Sequence, residues 1–247
     1  MNKLSIVVPA RLNSSRIKHK PFLRINGKTL VENVVEVGLN CKYVSEVIVT
    51  SESKLVFNLF NFNKNVKCIQ TSDLPLTGTD RLSELLNIVD SEYYLLLPCD
   101  IYLIGSNVLN FIYETLLNSS FDVGCLVTKL KYNEIYTSDD VKMLIDNDNC
   151  ALNFIREIPQ EYEISSEYEN SVVKQLGVYI YTRKALLKFM DLRRDLLELV
   201  HNNESYRFIH NGMKMMAIFI GKELYSLNSN EDIKKMKEKG YYVQHYQ

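Results

Sequence analysis

Hydrophobic positions along the first half of the chain switch repeatedly between two periods. Leu4–Val8 is a continuous, largely β-branched run, the pattern of a strand buried on both faces. Thr29–Asn40 then places Leu30, Val34 and Val37 at helical spacing. Glu46–Thr50 reads as a second strand, Lys54–Phe62 as a helix and Val66–Ile69 as a short third strand. Asp80–Val89 sets Leu82, Leu85, Leu86 and Val89 on one helical face, Tyr93–Pro98 is an apolar strand, and Asn107–Leu117 a helix. This β-α-β-α order predicts a mostly parallel sheet with helices on both faces.

The second half is less regular. Asp122–Leu130, Val141–Ile145, Ala151–Phe154 and Gln175–Tyr181 read as strands. Glu161–Asn170 is acidic, aromatic and without period, so it reads as a loop or flap. Arg183–Val200 and Glu204–His210 are helical, Met213–Phe219 is a late strand, and Asn230–Lys239 a charged C-terminal helix. The Tyr-rich end, Tyr241–Tyr246, suits an edge strand or a contact surface. No repeat or linker interrupts the chain, so residues 1–247 read as one domain with halves 1–120 and 121–247.

Composition narrows the class. With 46% hydrophobic and 24% charged residues over 247 positions, global disorder, collagen and coiled coil are excluded. Lys and Arg number 29 against 30 acidic residues, so no global charge draws the chain to nucleic acid or to a membrane surface. No stretch reaches the ~18–20 apolar residues of a membrane span, and Met1–Pro9 lacks a signal-peptide core. The five cysteines, Cys41, Cys68, Cys99, Cys125 and Cys150, are scattered and form no C-x-x-C, which fits free thiols in a reducing compartment. The expectation is a cytoplasmic protein.

The candidate chemistry lies in loops at the carboxyl ends of the strands, where open α/β sheets bind ligands. The loop after the first strand, Pro9–Pro21, carries Arg11, Arg16, Lys18 and Lys20 among small polar residues. Such a loop suits a polyphosphate, wrapped by backbone N–H groups and neutralised by basic side chains; a solvated basic turn is the plain alternative. It matches neither a Walker A loop nor G-x-G-x-x-G. Asp100, just beyond Tyr93–Pro98, is placed either to hold Mg²⁺ or to form a turn or cap. Thr77-Gly78-Thr79-Asp80-Arg81-Leu82 reads as a helix start capped by Thr79 or Asp80, or as a backbone cradle for a nucleobase or ribose.

Together these segments resemble the CMP-Kdo synthetases, the cytidylyltransferases that activate 3-deoxy-manno-octulosonate (Kdo), over almost the whole chain. The family's opening P-A-R-x-x-S-x-R-x-x-x-K-P-L is matched by Pro9-Ala10-Arg11, Ser14, Arg16 and Lys20-Pro21-Phe22. Its S-G-T-[DE]-R-L is matched by Thr77–Leu82, and its V-K-x-x-x-D by Val141–Asp146. Further matches are Arg156-Glu157-Ile158-Pro159, Gln175-Leu176-Gly177-Val178-Tyr179 and Glu204–Arg207.

The resemblance implies a Rossmann-like nucleotide-diphosphosugar transferase fold, α/β, with a smaller sugar-binding and dimerisation subdomain. It implies CTP on the first half, contacted by Ala10, Arg11, Ser14, Lys20, Thr77, Gly78, Thr79, Arg81 and Asp100, with Lys20 and Asp100 catalytic. Mg²⁺ would rest on Asp100 and Asn228. An acidic sugar would lie on the second half, near Lys142, Arg156, Gln175, Tyr179 and Glu204, and the protein would be a homodimer that makes a CMP-sugar and pyrophosphate for surface polysaccharide.

Departures from the family pattern cluster on the sugar side. Q-G-D-E-P reads Pro98-Cys99-Asp100-Ile101-Tyr102 here, Asn228 stands for an Asp, Gln175 for a His, and Ser205 for a Gln. Three readings follow: a cytidylyltransferase whose pocket is rebuilt for a Kdo-like or sialic-like acid, a nucleotidyltransferase with altered metal use, or a catalytically weak nucleotide-binding paralogue with a regulatory or scaffold role. The rebuilt pocket accounts best for a loss that spares the phosphate loop.

Overall fold

The computed structural model describes every residue except 1–2, 13–16, 75–76, 131–133, 137, 139, 159–170, 222–223 and 246–247. Ser14 and the Glu161–Asn170 segment lie outside the described residues. In chain order the elements are β1 (Leu4–Pro9), a 3-10 turn (Lys20–Phe22), β2 (Arg24–Ile25), β3 (Lys28–Thr29), α1 (Leu30–Leu39), β4 (Val44–Ser51), α2 (Lys54–Phe57), a second 3-10 turn (Asn58–Phe60), β5 (Val66–Gln70), α3 (Gly78–Ser83), β6 (Tyr93–Leu96), β7 (Ile101–Tyr102) and α4 (Ser106–Leu117). There follow β8 (Val123–Lys129), β9 (Lys142–Ile145), β10 (Ala151–Ile155), β11 (Val172–Thr182), α5 (Arg183–Met190), α6 (Leu196–His201), α7 (Ser205–Ile209), β12 (Met215–Phe219), β13 (Tyr225–Ser226), α8 (Asn230–Glu238) and β14 (Val243–Gln244). Two compact units form: Met1–Phe111 with Leu224–Gln247, and Ile112–Glu223.

In the first unit β1 pairs in parallel with β4 on one side and β6 on the other, and β4 pairs in parallel with β5. Leu4–Val8 are fully buried, as a strand flanked on both sides requires. The strand order reverses at β1, between β4 and β6, the topology at which open α/β sheets place a ligand beyond the carboxyl ends of their strands. In the second unit β11 runs antiparallel to β8 and β9, β9 antiparallel to β10, and β12 parallel to β8. The α/β class expected from the alternation is therefore observed, with parallel ladders in the first unit.

Three expected helices are shorter than the periodicity suggested. Lys54–Phe62 divides into α2 and a 3-10 turn. Asp80–Val89 leaves α geometry after Ser83, although Leu82, Leu85, Leu86 and Val89 are all buried as one face. Arg183–Val200 is two helices: Asp191 closes α5, and Asp195 opens α6 with a capping box to Glu198.

The C-terminal segment returns to the first unit. β14 pairs with β2, and β2 with β3 through Asn26-Gly27, both at positive φ (51° and 89°), the backbone of a tight two-residue hairpin. Ile17, Leu23, Ile25, Leu30, Leu227, Ile233, Met236 and Val243 bury together. Each such side chain contributes about 1.5–3 kcal/mol when withdrawn from water. The cluster thereby packs the chain that carries Lys20 against the start of α8.

Candidate functional site

His19, at φ 51°, turns the chain into the 3-10 turn that begins at Lys20, with Pro21 fixing its first residues. Lys20 is 9% exposed. Its Nζ donates to Asp100 Oδ2 at 2.6 Å and to Asn228 Oδ1 at 2.9 Å. Asp100 follows β6, and its backbone carbonyl accepts the Leu227 N–H at 3.0 Å, so the two segments are joined before their side chains meet. Asn228 Nδ2 donates to Ser226 Oγ at 2.6 Å, which leaves the amide oxygen turned to Lys20. The Asn228 and Ser229 N–H groups both donate to Asp232 Oδ2 at 2.8 Å, within the capping box that starts α8. An ammonium has three N–H donors. Two are engaged here, and the third has no partner among the described residues.

Beside this corner lie the ends of β1 and β4 and the start of α3. Ala10 is buried; its N–H donates to the Thr50 carbonyl at 2.8 Å, and its own carbonyl accepts Ser51 Oγ at 2.8 Å. Arg11 Nη2 donates to the Thr77 carbonyl at 3.1 Å. The Leu12 N–H donates to Glu52 Oε1 at 2.9 Å. Thr77, rather than Thr79 or Asp80, is the N-cap of α3: its hydroxyl accepts the Asp80 N–H, and the Asp80 carboxylate accepts the Thr77 N–H. A cap must precede the first helical residue, here Gly78; Thr79, already inside the helix, is buried. Arg81 is 2% exposed, donates to Thr71 Oγ1, and has Nη1 3.7 Å from Glu52 Oε2. Burial, and then the charge of Arg11, lowers its pKa; Glu52, Glu84 and Asp73 oppose.

The remaining sequence candidates belong to the second unit. Lys142 is fully buried, and its amine donates to the carbonyls of Arg156 (2.5 Å) and Asp140 (3.3 Å). Burial pushes the Lys142 ammonium below its usual pKa, with Asp140 opposing. Arg156 donates to the carbonyls of His201 (2.8 Å) and Asn202 (3.3 Å). Gln175 Nε2 donates to Tyr179 Oη and to Ser205 Oγ, each at 2.9 Å. Four residues of regular strand span about 13 Å, too far for that contact. The β11 register shifts between Gln175 and Tyr179, with Gly177 at φ 70°, and this bulge brings the two side chains together. Burial raises the Tyr179 pKa well above normal, so the hydroxyl stays protonated. Glu204 is buried beside this group in sequence, and Asn203 Nδ2 reaches Gln175 Oε1 at 3.4 Å.

The structure thus joins Lys20 to Asp100 and Asn228, Arg11 to Thr77, and Gln175 to Tyr179. It also adds Glu52, Ser226 and Asn203, which the sequence reading did not select, and it gives Ser205, noted there as a departure on the sugar side, a partner in Gln175. An acid at the carboxyl end of a strand, like Asp100, is the signal that would have drawn attention to Glu52.

The cytidylyltransferase family model matches residues 5–242. A 3-deoxy-manno-octulosonate cytidylyltransferase of Rickettsia typhi is 29% identical over 237 residues, covering 94% of this chain and 95% of that protein. The solved CMP:2-keto-3-deoxy-manno-octonic acid synthetase complexed with CTP is similar at a TM-score of 0.85 and 25% identity, covering 96% of this chain and 98% of the other. The inositol-1-phosphate CTP transferase of T. maritima shares the fold at a TM-score of 0.69 and 16% identity, covering 94% and 92%.

The thiol next to Asp100 gives a test of this corner. Burial, then the Asp100 charge, pushes the Cys99 thiol up to about 12, and burial does the same to Cys125. Only the thiolate is nucleophilic. Alkylation by iodoacetamide at pH 8, followed by mass spectrometry, should label both at least about a hundredfold more slowly in the native protein than after unfolding. Native labelling of Cys99 at the unfolded rate would show that this corner is open.

Proposed function

The chain belongs to the cytidylyltransferase family, and from that premise we propose that it couples CTP to Kdo, releasing pyrophosphate and a CMP-sugar for surface polysaccharide. The observation that carries the nucleotide half is the contact of Lys20 with Asp100, beyond the carboxyl end of β6, with Arg11 beyond that of β1 tied to the start of α3. The activity of the relatives, which match nearly end to end, supports Kdo as the sugar. The substitutions at Gln175 and Ser205 keep a Kdo-like or sialic-like acid as the competing substrate. The Asn at 228 keeps a weakly active, nucleotide-binding protein as the other outcome.

In this reading the sugar's anomeric hydroxyl attacks the α-phosphorus and pyrophosphate leaves. The transition state is strongly anionic, so positioning and charge neutralisation dominate. Lys20, held by Asp100 and Asn228, presents its third N–H to a phosphate oxygen, and it would give up the Asn228 oxygen where a metal takes it. Arg11 adds a second cation for the leaving group, and Thr77–Arg81 line the nucleoside. The Asp100 carboxylate and the Asn228 amide oxygen are hard oxygen donors of the kind Mg²⁺ takes together with substrate phosphates. A metal held there would supply neutralising charge to the phosphates and would lower the pKa of the attacking hydroxyl. One carboxylate in place of two weakens that hold.

Among the described residues no helix is long and apolar enough to cross a membrane. The reading places the enzyme in the cytoplasm, where its nucleotide is made. It also includes a homodimer, for which Leu187, Met190, Leu196, Leu199 and Val200 on α5 and α6 offer exposed apolar surface. Light scattering should give a dimeric mass that Leu199→Asp lowers to the monomer.

CTP should raise the melting temperature more than ATP or GTP does, with ~2.7 kcal/mol gained at a hundredfold excess over Kd. Arg11→Ala and Lys20→Ala should each weaken CTP about 10- to 100-fold by titration calorimetry, the loss of one charge-assisted contact. Equal shifts with every triphosphate would remove the cytidylyl assignment.

The deciding measurement is pyrophosphate release from CTP against Kdo and a panel of other sugar acids. Kdo-dependent release is expected, and Asn228→Asp should lower the Mg²⁺ concentration needed for half-maximal rate. Release with another acid alone identifies a rebuilt pocket. CTP binding without release from any acid, in both forms, identifies a non-catalytic paralogue.

A further inference from the structure

Glu52 takes no part in the proposed reaction, yet its carboxylate stands between the two segments assigned to the nucleotide. Oε1 accepts the N–H of Leu12, the residue that follows Arg11, at 2.9 Å. Oε2 lies 3.7 Å from Arg81 Nη1. Among the described residues, neither Oε2 nor Arg81 Nε has a hydrogen-bond partner, and both atoms are buried. The Glu52 backbone is held as well: its carbonyl accepts Gln70 Nε2 at 3.3 Å.

A carboxylate next to a polyphosphate loop is electrostatically adverse, since like charges in a partly buried region repel strongly. Arg81 offsets that charge, so the pair approaches the loop as a neutral unit. What remains is directional. The carboxylate fixes one backbone amide at the loop's start, and Arg11, one residue earlier, donates to the Thr77 carbonyl. Arg11 and Leu12 are therefore tied to α3 by two independent links, one through Thr77 and one through Glu52 and Arg81.

We propose that Glu52 is a positioning residue for the phosphate-binding loop: by holding the Leu12 amide it sets the origin of the Arg11 side chain, and with it the place where the triphosphate tail is received. This rests on the CTP reading above. It assigns Glu52 no contact with the base or the sugar. Its effect must therefore fall on ligands that carry a phosphate chain and spare those that do not.

Glu52→Ala and Glu52→Gln in the full chain test this against three ligands: CTP and inorganic tripolyphosphate by calorimetry, and cytidine by ligand-observed NMR. Alanine should weaken CTP and tripolyphosphate about tenfold, the loss expected when a charge-assisted contact no longer holds the donor loop, and leave cytidine within about twofold. Glutamine keeps an acceptor for Leu12 and should recover most of the phosphate affinity. Equal losses for all three ligands would mark a merely structural role and overturn the proposal, as would unchanged CTP and tripolyphosphate affinity. Where alanine does not fold, Glu52→Ser, too short to reach Leu12, takes its place. A wild-type protein that binds tripolyphosphate without preferring CTP over ATP defeats the cytidylyl reading, while the tripolyphosphate comparison alone still decides the role of Glu52.

Discussion

One buried ammonium organises the candidate site. Lys20 bonds Asp100 and Asn228, residues 80 and 208 positions away in sequence. Withdrawing a lysine from water is unfavourable unless oxygen acceptors surround it. The fold supplies them from the end of β6 and the start of α8, and this requires the C-terminal segment to return to the first unit. The Ile17–Val243 cluster and the β14–β2–β3 ladder make that return. The Leu227 N–H to Asp100 carbonyl bond completes it in the backbone.

Charge at this corner has a direct consequence for binding. With Asn at 228, Lys20 and Asp100 form a pair of zero net charge; a second carboxylate would make the group negative. A polyphosphate meets less repulsion, and a divalent cation meets less attraction, than at a site with two carboxylates. In the proposed reaction, a metal here would rely on the nucleotide's own phosphates, which Mg²⁺ commonly uses in any case.

The second unit follows the same rule that buried charge must be partnered. Glu198, fully buried, accepts Arg207 through both oxygens and Arg194 through one, and Arg207 packs over the Phe189 ring at 4.1 Å. Lys142 is satisfied by backbone carbonyls. The Gln175, Tyr179 and Ser205 side chains hold one another around a bulge, so a change at any one of them alters the other two.

Local pattern was enough to locate most elements. The buried run Leu4–Val8, the apolar face of Leu82–Val89 and the charged C-terminal helix follow from period alone, because burial imposes that period on the sequence. The basic loop at the carboxyl end of the first strand, with Asp100 beyond a later one, also marked the nucleotide candidates, since strand direction dictates where an α/β sheet binds. The boundaries were less legible: an acid that caps a helix looks the same, in one dimension, as an acid on its surface, and Asp195 divided an expected single helix. The Asn26-Gly27 hairpin was legible in principle from its turn chemistry. Only the tertiary structure decided that Lys20 meets Asn228, that Glu52 receives the Leu12 amide, and that Gln175 reaches Tyr179 across a bulge. Those contacts join residues far apart in sequence, or alter strand register, and they are settled by how hydrogen-bond donors and acceptors find partners once the core has excluded water.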